Sequence, residues 1–459
     1  MSCLCLSLLL FPFTGENTKV SIQSDEDGNM DFVLIITEDM VESFNLYPEV
    51  LMIDGTYRVN KRRMPLYIFL VEDGNGRGRV IGYSLVANEK AATLENLFTS
   101  LGKVHDLTKV QSVVVDKDAC EIAAARKVMP TASIQLCKFH VTQAFQREIR
   151  KCAVDDDRRK KLTAAVSKMV FAKSQGMFNQ GKAEFTTLAP LKLANYLEKN
   201  WIPSIDMWCA YRTNEHINLG NSTNNRIESF NQKVKMVLDR YMTIGEVIRN
   251  IMLINRTQMY EITHKSFLQQ VTSPYQLNNS DDVVDGIVKH LTAYAAGIVI
   301  EELERAKRKT ETYAEKKGSC CQLKTAMGLP CRHLFATRMQ KKEEAIYRRT
   351  DALPRWCIGY EDKLKKRRSE ESSSTISTQQ KKRKRIPSSS KDDKYRDIMM
   401  LFKQMADLAS TLGTPEFEEK WDFTKQVYSM WQRGERVRIL QDGDTAPAQQ
   451  ATTAQQATA

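Results

Sequence analysis

No stretch of this 459-residue chain is long and apolar enough to span a bilayer. The leading apolar run, Leu4 to Phe13, is too short. No Lys or Arg precedes it and no clear small-residue cleavage site follows, so it reads as a buried or frayed end rather than a secretory leader. A regular cysteine framework is missing as well. The ten cysteines are scattered as Cys3, Cys5, Cys120, Cys137, Cys152, Cys209, Cys320, Cys321, Cys331 and Cys357. That irregularity argues against a disulfide scaffold and points to a reducing compartment. Only the group from Cys320 to Cys331 is clustered.

What is present is a globular composition, 42% hydrophobic and 27% charged, with enough chain for two or three domains. The net charge is +12. A basic excess of this size implies a polyanion partner, nucleic acid before an acidic membrane.

Periodicity divides the chain. Residues 1–30 form an N-terminal segment, and 31–260 hold the signals of one α/β domain. Phe32 to Ile36 is a short apolar run ahead of a helix. Val50 to Ile53, Leu66 to Val71 and Val80 to Val86 read as strands. The turn Glu72-Asp73-Gly74-Asn75-Gly76 joins the last two as a hairpin. Ala91 to Val104 is an amphipathic helix, Ser112 to Val115 a fully apolar strand and Ala119 to Val128 a helix. Ser133 to Leu136 is a short strand and His140 to Lys151 a helix. This order predicts a mixed sheet flanked by helices. Residues 151–215 read as an all-α insertion anchored by Trp201 and Trp208. Asn221 to Asn225 then open a helix that runs to about Glu261. A helical connector covers 261–315, the cysteine cluster 316–340 and a basic linker 360–393. Two amphipathic helices occupy 394–440, with Phe417 and Trp421 among their buried candidates. The tail, 441–459, is rich in Ala, Gln and Thr.

Two carboxylates fall where strands end. Asp54 follows Leu51-Met52-Ile53 and precedes Gly55. Asp116 follows Val113-Val114-Val115. Glu228 stands on the later helix. Active sites of open α/β sheets favour that strand edge. Phosphodiester chemistry with two divalent ions needs carboxylates from several elements to hold them, and Mg²⁺ or Mn²⁺ would take these hard oxygen ligands. Asp118 is a rival for the second place. It follows the strand less directly, and it is well placed to cap the next helix.

The runs Ile53-Asp54-Gly55-Thr56-Tyr57, Val113 to Asp116, Cys137-Lys138-Phe139-His140 and Thr223 to Asn231 together resemble the DDE transposase domain of the Mutator-like elements. The resemblance covers about residues 31 to 260. It implies an RNase H-like fold with a helical insertion, and catalytic metal-binding roles for Asp54, Asp116 and Glu228. Cys137 and His140 belong to the same pattern. Two such ligands without partners are too few for structural zinc, so core packing and a hydrogen bond are the simpler expectation.

Ser319-Cys320-Cys321 and Pro330-Cys331-Arg332-His333 bring three thiols and an imidazole into one short segment, a tetrahedral zinc set of Cys320, Cys321, Cys331 and His333. The segment resembles a SWIM zinc finger, Cys-x-Cys followed by Cys-x-His. It departs from that pattern because Ser319 holds the first ligand position and Cys320 is adjacent to Cys321. Either could take that place, and weaker zinc binding than in a regular finger is expected. The whole layout resembles the vertebrate zinc finger SWIM domain-containing proteins derived from such transposases.

Lys363 to Arg368 and Lys381 to Arg385 read as a two-part nuclear localisation signal or as phosphate contacts. The expectation is a domesticated, transposase-derived nuclear protein that binds zinc, with DNA as its expected partner and protein partners reached through the finger and the C-terminal helices. The alternative is an active DDE-type nuclease using two Mg²⁺. No DNA-binding module is visible ahead of the core, which favours the domesticated reading.

Overall fold

The computed structural model describes residues 18–25, 28–56, 59–220, 225–271, 281–315 and 321–364, together with 413–418, 421, 422, 425 and 429. The side chains of 56, 225–229, 265–271 and 315 lie outside the description. The chain divides into two compact units, 1–375 and 376–459.

The first unit is built on a seven-stranded mixed sheet: β1 Lys19–Ser24, β2 Met30–Ile36, β3 Val50–Thr56, β4 Leu66–Glu72, β5 Gly78–Val86, β6 Ser112–Val115 and β7 Ser133–Leu136. The order across it is β1-β2-β5-β4-β3-β6-β7. The first five strands in that order run antiparallel, whereas β3, β6 and β7 pair in parallel. Phe32 to Ile36, read from sequence only as an apolar run, is the buried part of β2. Its partner β1 was not anticipated, because four of its six residues are polar and only Val20 and Ile22 are apolar. Every residue of β4 is buried, which suits a strand covered on both faces.

Helices α1 Glu38–Leu46, α2 Ala91–Gly102, α3 Ala119–Val128 and α4 Lys138–Arg150 accompany the sheet. The hairpin turn between β4 and β5 is pinned by Asp73, whose Oδ1 accepts from the amides of Asn75 at 2.8 Å and Arg77 at 2.9 Å. Glycine is required at position 74 because a Cβ there would strike the carbonyl oxygen of Arg355. That approach fastens the segment around Pro354–Trp356 to the sheet. Arg355 also donates to Glu49 and to the carbonyl of Glu72, and Arg79 bridges Asp73 and Glu361.

The expected helical stretch follows as α5 Asp156–Val170, α6 Gln175–Leu188, α7 Leu191–Asn200, α8 Ile205–Trp208 and α9 Ala210–Thr213. Trp201 and Trp208 are fully buried and pack on Phe145 of α4, with the Trp201 ring stacked on Phe145 at 4.8 Å. Burying each such ring is worth about 2–3 kcal/mol. The long helix expected to run to Glu261 is instead two helices, α10 Asn225–Val237 and α11 Ile244–Val271. Thr243 and Glu246 form a capping box: Thr243 N donates to Glu246 Oε2 at 2.7 Å and Glu246 N to Thr243 Oγ1 at 3.3 Å. That start signal interrupts the run. Four helices, α12 Asp282–His290, α13 Ala293–Arg308, α14 Thr310–Glu315 and α15 Gln322–Met327, lead to α16 Arg332–Gln340.

In the second unit the described residues are helical from Thr414 to Glu418 and at 421, 422, 425 and 429. Phe417 and Trp421, expected to be buried, are 39% and 53% exposed and stack on one another at 6.4 Å. The first expected helix and the basic block Lys381 to Arg385 lie outside the described residues. Among the described residues no helix is long and apolar enough to cross a membrane.

Candidate metal sites

Asp54 lies inside β3, two residues before its end, and pairs with Ile68 of β4. On the other side the parallel ladder to β6 stops at Met52 opposite Val114. Continuing that register by two residues sets Asp54 beside Asp116, the residue that follows β6. Neighbouring strands are about 4.8 Å apart, so the strand edge brings these two acids together. Asp54 is 4% exposed and accepts a hydrogen bond from Asn231 of α10. Glu228 stands three residues before Asn231 in the same helix, and its side chain lies outside the described residues. Asp118 is the N-cap of α3, accepting from Cys120 N at 2.8 Å and Glu121 N at 3.0 Å. Its oxygen is engaged in capping, which supports Asp116 as the edge acid.

Sequence reading missed a further acid at this edge. Glu121, in the first turn of α3, is 4% exposed and accepts from Tyr67 Oη at 2.8 Å. Its Oε2 is buried with no hydrogen-bond partner. Burial pushes its carboxyl up to about 8. The Tyr67 hydrogen bond opposes that rise, and the nearby Asp116, Asp118 and Asp54 charges add to it. Gly55 is what admits Tyr67: a Cβ there would come within 3.3 Å of the ring. The glycine after Asp54 was the available signal, but nothing in one sequence links it to a tyrosine on the next strand.

Cys137 closes the loop after β7 as the N-cap of α4, and its sulfur accepts from His140 N at 3.5 Å. His140 Nδ1 meets Asp116 Oδ1. One ligand atom from each of Asp116, Cys137 and His140 lies within 4.8 Å of the other two. The hydrogen bond expected of this Cys-x-x-His pair is present, and with it a third ligand that the spacing did not reveal.

Cys321, Cys331 and His333 form a second group with ligand atoms within 4.8 Å of one another. Cys321 precedes α15 and Cys331 precedes α16, so each thiol stands at a helix start. Arg332 fixes this corner. Its backbone N and Nε each donate to Glu302 Oε2 of α13 at 2.9 Å. The Tyr313 ring meets His333 edge-on at 5.4 Å. A hydrogen bond from Cys321 brings the Cys331 thiol down to about 6 against the effect of burial, and the same bond raises the Cys321 thiol. His333 Nδ1 is buried without a hydrogen-bond partner. An orphaned imidazole nitrogen beside a ready thiolate fits Zn²⁺, which these three residues would hold. Ser319 and Cys320 lie outside the described residues.

The fold defines the class: an RNase H-like α/β domain with acids gathered at one strand edge. Residues 13–135 match the family model described as "Zinc finger SWIM domain-containing protein 1/3, RNaseH-like domain". The chain is 23% identical over 211 residues to the mouse "Uncharacterized protein ZSWIM9", covering 44% of this chain and 46% of that protein. Against the human protein of the same name it is also 23% identical over 211 residues, covering 33% of the relative. An Arabidopsis thaliana relative, "Protein FAR1-RELATED SEQUENCE 5", is 26% identical over 133 residues, 29% of this chain and 17% of that protein. The alignments thus span less than half the length of each curated relative. These similarities agree with the resemblance to SWIM proteins related to Mutator-like transposases.

Proposed function

We propose that this chain is a domesticated, transposase-derived protein that binds zinc through Cys321, Cys331 and His333 and uses its RNase H-like core as a scaffold for nucleic-acid or protein partners. One observation carries the reading: one ligand atom from each of Cys321, Cys331 and His333 lies within 4.8 Å of the other two, and His333 Nδ1 is buried without a hydrogen-bond partner. When bound, the ion would cross-link the starts of α15 and α16 and stabilise the finger. At the sheet edge Asp54 is buried under Asn231 and Asp116 is bonded to His140. Both acids have protein partners, which supports a scaffold over an open nuclease site. The net charge of +12 favours DNA as the polyanion, held mainly through its phosphates. The basic block Lys381 to Arg385 supports a nuclear location, and deleting it should keep a tagged protein outside the nucleus.

The expected result is one zinc in the finger, lost in His333→Ala, with duplex DNA bound less tightly as salt rises. A zinc content that His333→Ala leaves unchanged would overturn the finger. The adjacency of Asp54 and Asp116 favours a second reading, a Mg²⁺- or Mn²⁺-dependent nuclease in which these acids and Glu228 hold the ions. In that reading the ions would activate a water or a 3′-hydroxyl toward phosphate. Mn²⁺-dependent nicking that disappears in Asp116→Asn would establish that reading in place of the scaffold.

A further inference from the structure

We infer that Asp116, Cys137 and His140 form a second metal centre, selective for Zn²⁺-class ions and separate from the finger. The topology builds it. β6 and β7 are parallel neighbours with Val115 opposite Leu136, so the next residue on each, Asp116 and Cys137, leaves the sheet at the same level. Cys137 starts α4, and His140 returns over it within the first turn. A carboxylate, a thiol and an imidazole therefore converge from two chain segments, with their ligand atoms within 4.8 Å of one another.

The donor types select the ion. Zn²⁺ bonds sulfur at about 2.3 Å and nitrogen or oxygen at about 2.0–2.2 Å, so tetrahedral ligand atoms sit roughly 3.3–3.7 Å apart. To admit the ion, the direct hydrogen bond between His140 Nδ1 and Asp116 Oδ1 must open, and the three ligand atoms, within 4.8 Å of one another, must settle at that spacing. A thiolate and an imidazole favour Zn²⁺ and disfavour Mg²⁺, which prefers oxygen and keeps its water. The amide of His140 already points at the Cys137 sulfur, which caps the start of a 13-residue helix. Cys137 is buried at the inner wall, while the side chains of His140 and Asp116 are 23% and 33% exposed. The centre thus has a closed sulfur side and a solvent-facing side where water or a phosphate oxygen could complete the shell. With zinc in place, Asp116 is committed to a mixed sulfur, nitrogen and oxygen set and is withdrawn from an all-oxygen Mg²⁺ pair.

The test measures zinc bound to the full-length protein after gel filtration. Two ions per chain are expected, falling to one in His140→Gln and in Cys137→Ala, and to one in His333→Ala. His140→Gln guards against misfolding, because its partly exposed side chain can change without opening the core. In a His333→Ala background, added Co²⁺ should show the charge-transfer absorption of a cobalt–thiolate bond, and Cys137→Ala should remove it. Two ions retained in both His140→Gln and Cys137→Ala, or a single ion that His333→Ala abolishes, would overturn the second centre. A single ion lost in His140→Gln but kept in His333→Ala would uphold it and overturn the finger instead.

Discussion

Glu121→Gln should make this protein more stable, and more so as the pH rises. Glu121 is buried at the sheet edge with one oxygen satisfied by Tyr67 and the other without a hydrogen-bond partner. Its carboxyl is raised from an ordinary 4.5 to about 8. A carboxyl with a raised folded pKa favours the fold while protonated. Its destabilising effect is absent below the unfolded pKa, grows through the interval from about 4.5 to 8 and is complete above 8. At about 1.4 kcal/mol per unit, the full effect is on the order of 5 kcal/mol. Glutamine keeps a carbonyl oxygen for Tyr67 and carries no charge. In urea unfolding with chelator present, the variant and the parent should have similar stabilities near pH 5. The gap should then open by about 1.4 kcal/mol per pH unit and level off above pH 8. A gap that does not change between pH 5 and pH 9 would refute the assignment of a neutral Glu121. A gap that closes when Zn²⁺ or Mn²⁺ replaces the chelator would show that a cation offsets the charge.

Three other outcomes follow from the same structure. Asp118→Ala removes both cap hydrogen bonds of α3 and should cost about 1 kcal/mol of stability, measured by urea unfolding. It should leave the zinc content unchanged, whereas Asp116→Ala should lower it. Arg332→Ala strips the buried Glu302 of its bidentate partner and should destabilise the finger corner by about 3 kcal/mol, read as faster zinc loss to a chelator. His105 is buried with Nε2 against the carbonyl of Ile81, and burial brings its pKa from 6.5 down to about 4. The fold favours the neutral ring, so this stabilising term is present above pH 6.5 and lost as pH falls toward 4. The loss is about 3 kcal/mol, and His105→Gln should flatten that part of the acid limb.

The sheet was readable where periodicity and turn chemistry agreed. β4, the hairpin turn and β5 followed from a full apolar run, Asp73-Gly74-Asn75-Gly76 and a second run. β1 was not readable, because four of the six residues of Lys19–Ser24 are polar and the strand gains its place by pairing with β2. The break between α10 and α11 was written in Thr243 and Glu246, but apolar residues continue across it and hid the cap. At the strand edge, residue type and chain order singled out Asp54 and Asp116, which the register sets on neighbouring strands. Their surroundings were invisible for one reason: Asn231 bonds Asp54 across 177 residues of chain, and Tyr67 bonds Glu121 across 54. No local pattern encodes contacts of that range. The exposure of Phe417 and Trp421 has a similar cause, since helical spacing marks an apolar stripe but not whether anything covers it.

Asp116 is the residue on which the two readings of the sheet edge diverge. Beside Asp54 it would offer oxygen to a hard ion. Beside Cys137 and His140 it completes a softer set. Both cannot hold at full strength, because an Asp116 oxygen bonded to His140 is not available to an ion shared with Asp54. Affinity favours the softer set. Zn²⁺ binds nitrogen and sulfur ligands far more tightly than Mg²⁺ binds a carboxylate pair, and Asp54 is already covered by Asn231. On the proposal above, the sheet edge would keep Asp54 and Asp116 of a nuclease while holding zinc. Presence of the acids then records the order of the chain, and the metal they hold decides what the domain does.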